Sequence, residues 1–337
     1  MAVGSDAKAV VQSYVAVGKE GTFGTYASAT TAVEALSLSF KVEIESEKID
    51  SLSFNRGFAK RVQKDKTISG TLEQYVHPHE SVLLFASSLG GTVSTTSLTS
   101  AATHSLTAGN FGNSLASVSF NVRKGDTHVW RYLGGRCNSM KLTANVNELV
   151  KASYEFVFKD ATQLSDDIST SLSLSAILPF TYVNGSYRYA ATEGSLTSTV
   201  VEPIQGFDLT INNNLISDAN ARALGSNIID VLPATRREIE FMVRQRFDTT
   251  TTYNRFIQGT QGSVELVFTG QSISAEHNNG MTIRLPKVFQ NSSDPELGGP
   301  GDILASEIPF DVIVDNPNTT TGRDIGISFT NSNQAGY

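Results

Sequence analysis

Cysteine and long apolar runs are scarce in this chain. The single cysteine, Cys137, excludes an internal disulfide framework and any cysteine-based zinc site, and we expect it to be a small strand residue. No apolar run approaches about 18 residues, so no helix is expected to span a membrane. The N-terminus lacks a basic region followed by a long apolar run, and no signal peptide is expected.

Positive charge is also in short supply. Across 337 residues, 26 Lys and Arg stand against 33 Asp and Glu, which gives a net charge of −7. A mildly acidic chain is not built to grip nucleic acid by neutralising phosphates. Helix formers are sparse, whereas Ser, Thr, Gly and Asn are abundant, and this composition favours an all-β architecture. The length allows one large or two ordinary domains.

Period-two alternation marks the strands. Residues 36–45 alternate apolar and polar side chains, which is typical of a half-buried strand, and residues 67–76 alternate again. The stretch HPHESVLLFASSLGG then carries Pro78 at its start, an apolar stripe and two closing glycines, and predicts one short helix. Further strands are predicted in SLASVSFNV, CNSMKLTANV and LVKASYEFVF.

Other stretches show no sustained period. Asn184-Gly185 lies between alternating aromatic residues and predicts a β-hairpin. The aperiodic segments are an N-terminal arm (1–35), a polar loop (46–66), a Ser/Thr-rich stretch (92–114) that is either a long surface loop or a flexible hairpin, a linker (161–178) and a polar C-terminal tail after Asn316.

The two halves of the chain repeat the order strand, loop, strand, short helix, glycine. An offset of 171 residues holds over about fifty residues, and an offset of 154 brings a closing strand into register. At 171, Leu36, Leu38, Phe40, Ile68, Leu72, Gln74, Val76, Phe85 and Gly91 fall on Phe207, Leu209, Ile211, Ile239, Val243, Gln245, Phe247, Phe256 and Gly262; at 154, Tyr154, Phe156 and Phe158 fall on Ile308, Phe310 and Val312. We interpret the pattern as an internal duplication; the alternative is two unrelated halves of one large sandwich.

The motifs that carry chemistry are weak. Gly18, Gly21 and Gly24 match neither a phosphate-binding loop nor a dinucleotide fingerprint, and no helix pattern follows them. His77-Pro78-His79-Glu80 suggests metal ligation, but no third ligand has an obvious spacing, and a helix start explains the same residues. No set of residues suited to catalysis assembles, so we expect neither an enzyme nor a bound cofactor or metal.

Three stretches together resemble the tail tube proteins of tailed bacteriophages, in a long-tailed, siphophage-like form. They are Glu20-x-Thr22-Phe23-Gly24-Thr25, KTISGTLEQYVHPHESVLLFASSLGG, and MTIRLPKVFQNSSDPELGGPGDILASEIPF. The resemblance covers roughly residues 12–316, and the order and spacing of the stretches make it specific.

The resemblance implies a fold and an assembly. It implies two tandem β-sandwich domains, each with a short flanking helix, whose inner sheets join those of neighbouring copies into one large barrel. Duplication would then give a trimeric, pseudo-sixfold ring, and stacked rings would form the conduit for DNA ejection. The expected divisions are a flexible arm (1–35), a first tube domain (36–163), a linker with a hairpin (164–205), a second tube domain (206–316) and a tail (317–337).

The same resemblance implies partners and a location. The partners are further copies of the chain, a tape measure protein, tail terminator and distal tail or baseplate proteins, and double-stranded DNA that passes without specific binding. The expected location is the virion tail, assembled in the host cytoplasm.

Polar strand faces and the arm supply the candidate contact residues. Candidates for the channel wall are Ser37, Ser39, Glu43, Glu45, Glu73, Asp208, Thr210, Asn212 and Glu240; candidates for contacts between rings are Glu20, Phe23, Arg56, Lys60 and Arg61. Lys41 lies on the expected channel face and is expected to pair with Glu73. Arg244 and Arg246 share a face with Glu240, so either neighbours neutralise them or that face is assigned wrongly.

Two other functions fit parts of the pattern. One is the inner tube of a contractile phage tail or injection system, which a neighbouring sheath protein would distinguish. The other is a monomeric carbohydrate-binding β-sandwich, for which Trp130, Tyr182, Tyr187 and Tyr189 would form an aromatic platform.

Overall fold

Antiparallel strands dominate the fold. The computed structural model describes residues 13–50, 57–58, 60–90, 93–108, 115–125, 128–164, 172–293, 295, 303–317, 322–335 and 337. Within these residues the strands are β1 (Tyr14–Lys19), β2 (Thr31–Val33), β3 (Ala35–Leu38), β4 (Lys41–Ile49), β5 (Lys60–Tyr75), β6 (Val93–Ser97), β7 (Ala102–Thr107), β8 (Val118–Lys124), β9 (His128–Asn145), β10 (Lys151–Phe158), β11 (Asp160–Leu164), β12 (Gly185–Ala190), β13 (Gly206–Asn212), β14 (Glu238–Arg246), β15 (Gly262–Ser272), β16 (Asn278–Gln290), β17 (Ala305–Val312) and β18 (Gly326–Asn331). The α-helices are α1 (Ser81–Leu89) and α2 (Thr251–Ile257), and short 3₁₀ turns lie at Tyr182–Asn184, Glu193–Ser198 and Ala219–Ala221.

One antiparallel sheet, which we call the long sheet, runs through both halves of the chain. Its order is β3 and β4 together, then β5, β10, β9, β13, β14, β17 and the end of β16. The predicted all-β fold is confirmed, and so is the first helix, which ends at Gly90 with a left-handed φ of 70°.

The two halves meet at the β9–β13 pair. The ladder runs from Gly206 opposite Asn145 to Asn212 opposite Ser139. A Cβ on Gly206 would lie 2.4 Å from the Asn145 Oδ1 and 2.8 Å from the Ala144 carbonyl oxygen, so this close approach requires glycine. Backbone pairing across the junction leaves neither half with an open edge at this place.

A second layer of strands covers one face of the long sheet. In the first half it contains β2, β1, β8, the start of β9, and β11; in the second it contains β12, β15, β16 and β18, extended by β7 and β6. The long strands β9 and β16 belong to both layers. Gly134 adopts a φ of 63° where β9 passes from one layer to the other.

Aromatic side chains fill the space between the layers. In the first half the Phe40 ring lies 5.2 Å from the Phe120 ring, 5.2 Å from the Tyr132 ring and 4.7 Å from the Phe158 ring. In the second half Phe207, Phe241, Phe268 and Phe310 fill the space between the layers, and the aromatic side chains of both halves belong to one continuous buried cluster. The core therefore passes without a break from one half to the other.

Strand register reproduces both sequence offsets. Leu72 pairs with Tyr154 in the first half, and Val243 pairs with Ile308 in the second, which are the positions that offsets of 171 and 154 connect. The first strand differs, because Leu38 pairs with Leu72 whereas Phe207 pairs with Val243. The first strand therefore follows an offset of 169 residues. With this offset the residue equivalent to Leu209 in the first half is Phe40, not Leu38.

Leu36 does not lie in the core, although the alternation of residues 36–45 placed it on the same strand face as Phe40. It is 46% exposed, whereas Phe40 is 4% exposed. The cause is a register irregularity in the β3–β5 ladder between Ala35 and Ser37, which interrupts the alternation that the sequence suggested.

The N-terminal arm and the C-terminal tail contain more order than expected. Residues 14–19 form β1, in which Val15, Ala16 and Val17 are buried between β2 and β8. Residues 1–12 lie outside the described residues. In the expected tail, β18 pairs with both β16 and β7 and buries Phe329.

Asn184-Gly185 does not form the predicted hairpin. Gly185 has φ −87° and ψ 145°, whereas the expected hairpin turn requires positive φ at both central residues. The Asn184 Oδ1 instead accepts hydrogen bonds from the Thr181 N–H and hydroxyl, both at 2.7 Å. The asparagine thus caps a 3₁₀ turn that leads into β12.

The predicted loop at 46–66 and the predicted linker also contain strands, and segment 92–114 contains the hairpin that was one of its two interpretations. Most of segment 46–66 belongs to a two-stranded extension of β4 and β5, and β6 and β7 form a hairpin inside segment 92–114. The start of the expected linker, Asp160–Leu164, pairs with β9 as β11.

We predict that Phe40→Ala lowers the free energy of unfolding by about 3–5 kcal/mol, because it opens a cavity inside the aromatic cluster. The measurement is urea denaturation of the unassembled chain. Leu36→Ala, on the neighbouring exposed position, is the matched control and should change stability by about 0.5 kcal/mol or less. Equal losses from both substitutions would contradict the assigned register.

Candidate functional site

One face of the long sheet is covered by no other strand layer within the described residues, and we call it the polar face. Side chains alternate between the two faces of a strand, so the neighbours of buried Phe40, Leu72, Leu209 and Phe241 point to the polar face. By this alternation Ser37, Ser39, Glu43, Glu73, Asp208, Thr210, Asn212 and Glu240 share that face. The structure therefore brings eight of the nine expected channel residues onto one surface. The ninth, Glu45, is exposed beside a register shift in β4.

In the first half of the polar face, each cation lies beside a carboxylate. The Lys41 Nζ lies 2.6 Å from the Glu43 Oε1, which corrects the expected Lys41–Glu73 pair. Glu73 instead lies 3.0 Å from the Lys151 Nζ and accepts a hydrogen bond of 3.0 Å from the Ser37 hydroxyl. The hydrogen bond from Lys151, followed by that from Ser37, lowers the pKa of Glu73.

In the second half, Arg244 is neutralised by its neighbours. Its guanidinium pairs with Asp208, lies 3.3 Å from the Glu307 Oε1, and donates to the Asn145 Oδ1 at 2.7 Å. These contacts link β14 to β13, β17 and β9. They therefore span the β9–β13 junction. The presence of arginine on this face is therefore compatible with a surface that does not attract anions.

Carboxylates outnumber cations on the polar face. By strand register the acidic side chains are Glu43, Glu73, Glu155, Asp208, Glu238, Glu240, Glu307 and Asp311; the basic ones are Lys41, Lys141, Lys151, Arg244, Arg246 and Lys287. A surface of this kind is hydrated and mildly repels a polyanion. It has few unpaired cations that could bind phosphate groups.

Two of the expected inter-ring residues are held inside the subunit. The Glu20 carboxylate is buried and accepts hydrogen bonds from the Ser119 hydroxyl at 2.6 Å, the Gly134 N–H at 2.8 Å and the Gly24 N–H at 2.8 Å. The Phe23 ring lies under the Arg136 guanidinium at 4.6 Å. Both side chains thus order the segment after β1, and their expected contact with another ring stays a prediction.

Two further inter-ring candidates, Lys60 and Arg61, lie on a β-ribbon. We define the ribbon as the paired residues 41–49 and 60–69, whose side chains are mostly exposed, with Ile68 buried at its base. Lys60 pairs with Ile49 and Arg61 with Lys48 near its exposed end, whereas Arg56 lies outside the described residues. The ribbon exposes apolar side chains that sequence reasoning assigned to a core or a loop: Val42 (41%), Ile44 (47%), Ile49 (38%) and Val62 (49%).

A second contact surface, which the sequence did not indicate, is the 213–237 loop between β13 and β14. It holds the same place between strands as the end of the ribbon does in the first half. Its buried side chains Ala221, Ile229 and Leu232 pack against Val157 of β10. Arg222 donates a hydrogen bond of 3.0 Å to the Thr67 hydroxyl. This loop of the second half therefore also binds the first half through a polar contact.

The tyrosines that a carbohydrate platform would need are dispersed. Tyr187 and Tyr189 are 3% and 5% exposed and belong to the core of the second half, whereas Tyr182 is 40% exposed. Trp130 lies in the first half, where the Lys124 Nζ is 5.0 Å from its ring. These four residues do not form a common exposed surface.

Comparison with known proteins identifies a family. The family model described as phage tail tube protein matches residues 11–312, which is most of the chain. A search of curated proteins gives no match. No helix in the described part of the chain has the length and apolar character needed to cross a bilayer.

We predict that Lys151→Gln raises the pKa of Glu73, because it removes the largest contribution to the lowered value. A carboxylate with a lowered folded-state pKa stabilises the fold above its unfolded pKa, and this contribution is lost as pH falls through the folded pKa. The substitution should therefore destabilise the chain at neutral pH and have less effect in acid. Carboxyl NMR titration measures the shift. Lys141→Gln, on the same face but without contact to Glu73, should leave its pKa unchanged.

Proposed function

The chain belongs to the phage tail tube protein family, and from this premise we propose that three copies close into a ring and that stacked rings form the tail tube. The observation that carries the proposal is the β9–β13 ladder, which joins two sandwich halves strand to strand within one chain. The same kind of pairing between chains would continue the sheet. A head-to-tail contact closes into a ring when its rotation divides a full turn.

Among the described residues, two edges of the long sheet remain for contacts between chains. One is formed by β3 and β4, and the other by the end of β16 beyond β17. Exposed edges present unpaired N–H and C=O groups, which favour pairing with another strand. If each half corresponds to one sixth of the barrel, three chains complete it. The matching register at offsets 171 and 154 supports treating the halves as equivalent.

The polar face then lines the channel, because the other face of the long sheet is covered by the second layer. Duplex DNA carries one charge per roughly 1.7 Å of its axis, so a wall rich in free cations would bind it along the whole tube. The paired charges around Glu73 and Arg244 instead leave the wall close to neutral and slightly acidic. Such a wall lets DNA pass during ejection without specific binding.

The ribbon supplies contacts to neighbouring copies. The 213–237 loop already shows how such an element packs, since it buries Ile229 and Leu232 against the adjacent half. By the same correspondence the exposed Val42, Ile44 and Val62 would be covered by the adjacent half of another chain. The ribbon end, with Lys60 and Arg61, would reach the neighbouring ring.

The assembled tube requires further tail components. We place the chain in the virion tail, assembled in the host cytoplasm around a tape measure protein and closed by terminator and distal tail proteins. A contractile particle would use the same inner tube inside a sheath.

We predict three chains per ring. The measurement is the subunit count from electron micrographs of isolated tubes, viewed down the axis, together with the mass of dissociated rings. Six chains per ring would contradict the proposed equivalence of the two halves, and a chain that stays monomeric at the concentrations where tails assemble would contradict tube formation itself.

We predict that Glu240→Lys leaves tubes intact but lowers infectivity by about tenfold or more, because every subunit then adds a cation to the channel wall and retains DNA. Plaque counts are compared with the number of tailed particles seen by microscopy. Glu276→Lys makes the same charge change at an exposed turn before β16 and should behave as the unaltered phage. Full infectivity of the Glu240 variant would remove Glu240 from the channel wall.

A further inference from the structure

Three metal-binding side chains converge where α1 begins. They are Glu34 in the connection before β3, and His77 and Glu80 in the turn between β5 and α1. One ligand atom from each lies within 4.8 Å of the others. His77 and Glu80 are each 4% exposed, whereas Glu34 reaches solvent.

Hydrogen bonding orients the His77 ring. Its Nδ1 lies 3.2 Å from the Ile177 carbonyl oxygen, which only accepts hydrogen bonds, so Nδ1 carries the proton. In the neutral ring, Nε2 then presents a lone pair. That atom faces the Glu34 Oε2 at 3.4 Å, which is a second acceptor, so the arrangement needs a proton or a cation between the two atoms.

The Glu80 carboxylate is fixed in the same way. Its Oε2 accepts from the Glu34 N–H at 3.1 Å and its Oε1 from the Ser175 N–H at 3.0 Å. Among the described residues, no lysine or arginine forms an ion pair with Glu80. A buried carboxylate without a compensating charge is costly, and a metal ion is one of the groups that compensates it.

We propose that His77, Glu80 and Glu34 bind one divalent transition-metal ion of the zinc class. Imidazole nitrogen and carboxylate oxygen are both zinc ligands, with bonds of roughly 2.0–2.2 Å. Tetrahedral ligands at that length are separated by roughly 3.3 Å, close to the 3.4 Å between His77 and Glu34. The exposed side of Glu34 leaves a fourth position open to water. The imidazole and the small number of oxygen ligands argue against calcium and magnesium.

The ion would link two parts of the chain directly and a third through hydrogen bonds to its ligands. Glu34 precedes the edge strand β3, His77 and Glu80 precede α1, and Ser175 and Ile177 belong to the connection between the halves. The second half has no equivalent set, because the offset of 171 places Asp248 and Thr251 at the positions of His77 and Glu80. The proposed site is thus specific to the first half and does not depend on the proposed tube.

The test uses the full chain, stripped of metal with a chelator and then titrated with zinc. Calorimetry should show one zinc per chain, and the unfolding temperature should rise with zinc concentration. Cobalt, as a spectroscopic substitute, should give the visible absorption of a nitrogen- and oxygen-ligated site. His77→Gln should abolish binding, and Glu34→Gln should weaken it by about tenfold or more.

The matched control is His79→Gln, which removes the adjacent histidine but no proposed ligand. It should bind zinc as the unaltered chain does. Because Glu34 is exposed, its substitution also tests the site if the His77 variant fails to fold. The proposal is overturned if the chain binds no zinc, or if Glu34→Gln binds it with unchanged affinity.

Discussion

Pairing of β9 with β13 is the contact on which the rest of the structure depends. An isolated antiparallel sheet ends in two open edges, and a chain with two such sheets would carry four. The Ser139–Asn145 segment and β13 remove two of them inside one polypeptide. In the described part of the chain the long sheet keeps one edge on either side, and these are the edges through which the proposed ring would close.

Joining two halves in one chain also allows them to differ. A covalent connection holds the second half at a high effective concentration beside the first, so this interface needs less affinity than one between separate chains. The 213–237 loop is folded onto the first half through Ile229 and Leu232, whereas the ribbon keeps Val42 and Ile44 exposed. In the proposed assembly, the packing of the 213–237 loop within the chain would be the pattern for the packing of the ribbon against another chain.

Local patterns predicted the elements whose environment is itself local. The alternation in β5 and β10 predicted that they are strands, because each has one buried and one polar face. β1 was missed since it is covered on both sides, so YVAVGK shows no alternation. Leu36 was misplaced by an irregularity in register, and Asn184 by a side-chain cap that competes with the hairpin turn. Glu34 lies 43 positions before His77, and only the tertiary fold brings the two together.

If the polar face lines the proposed channel, its charge pairing reconciles two opposed requirements. A wall of carboxylates alone would repel DNA but would also repel itself, because a dense single-sign charge destabilises a compact assembly. A wall of free cations would hold the DNA. Arg244 contacts Asp208, Glu307 and Asn145. Its positive charge stabilises the two carboxylates, and they neutralise it in turn. The cation thereby serves cohesion across the β9–β13 junction without becoming a phosphate site.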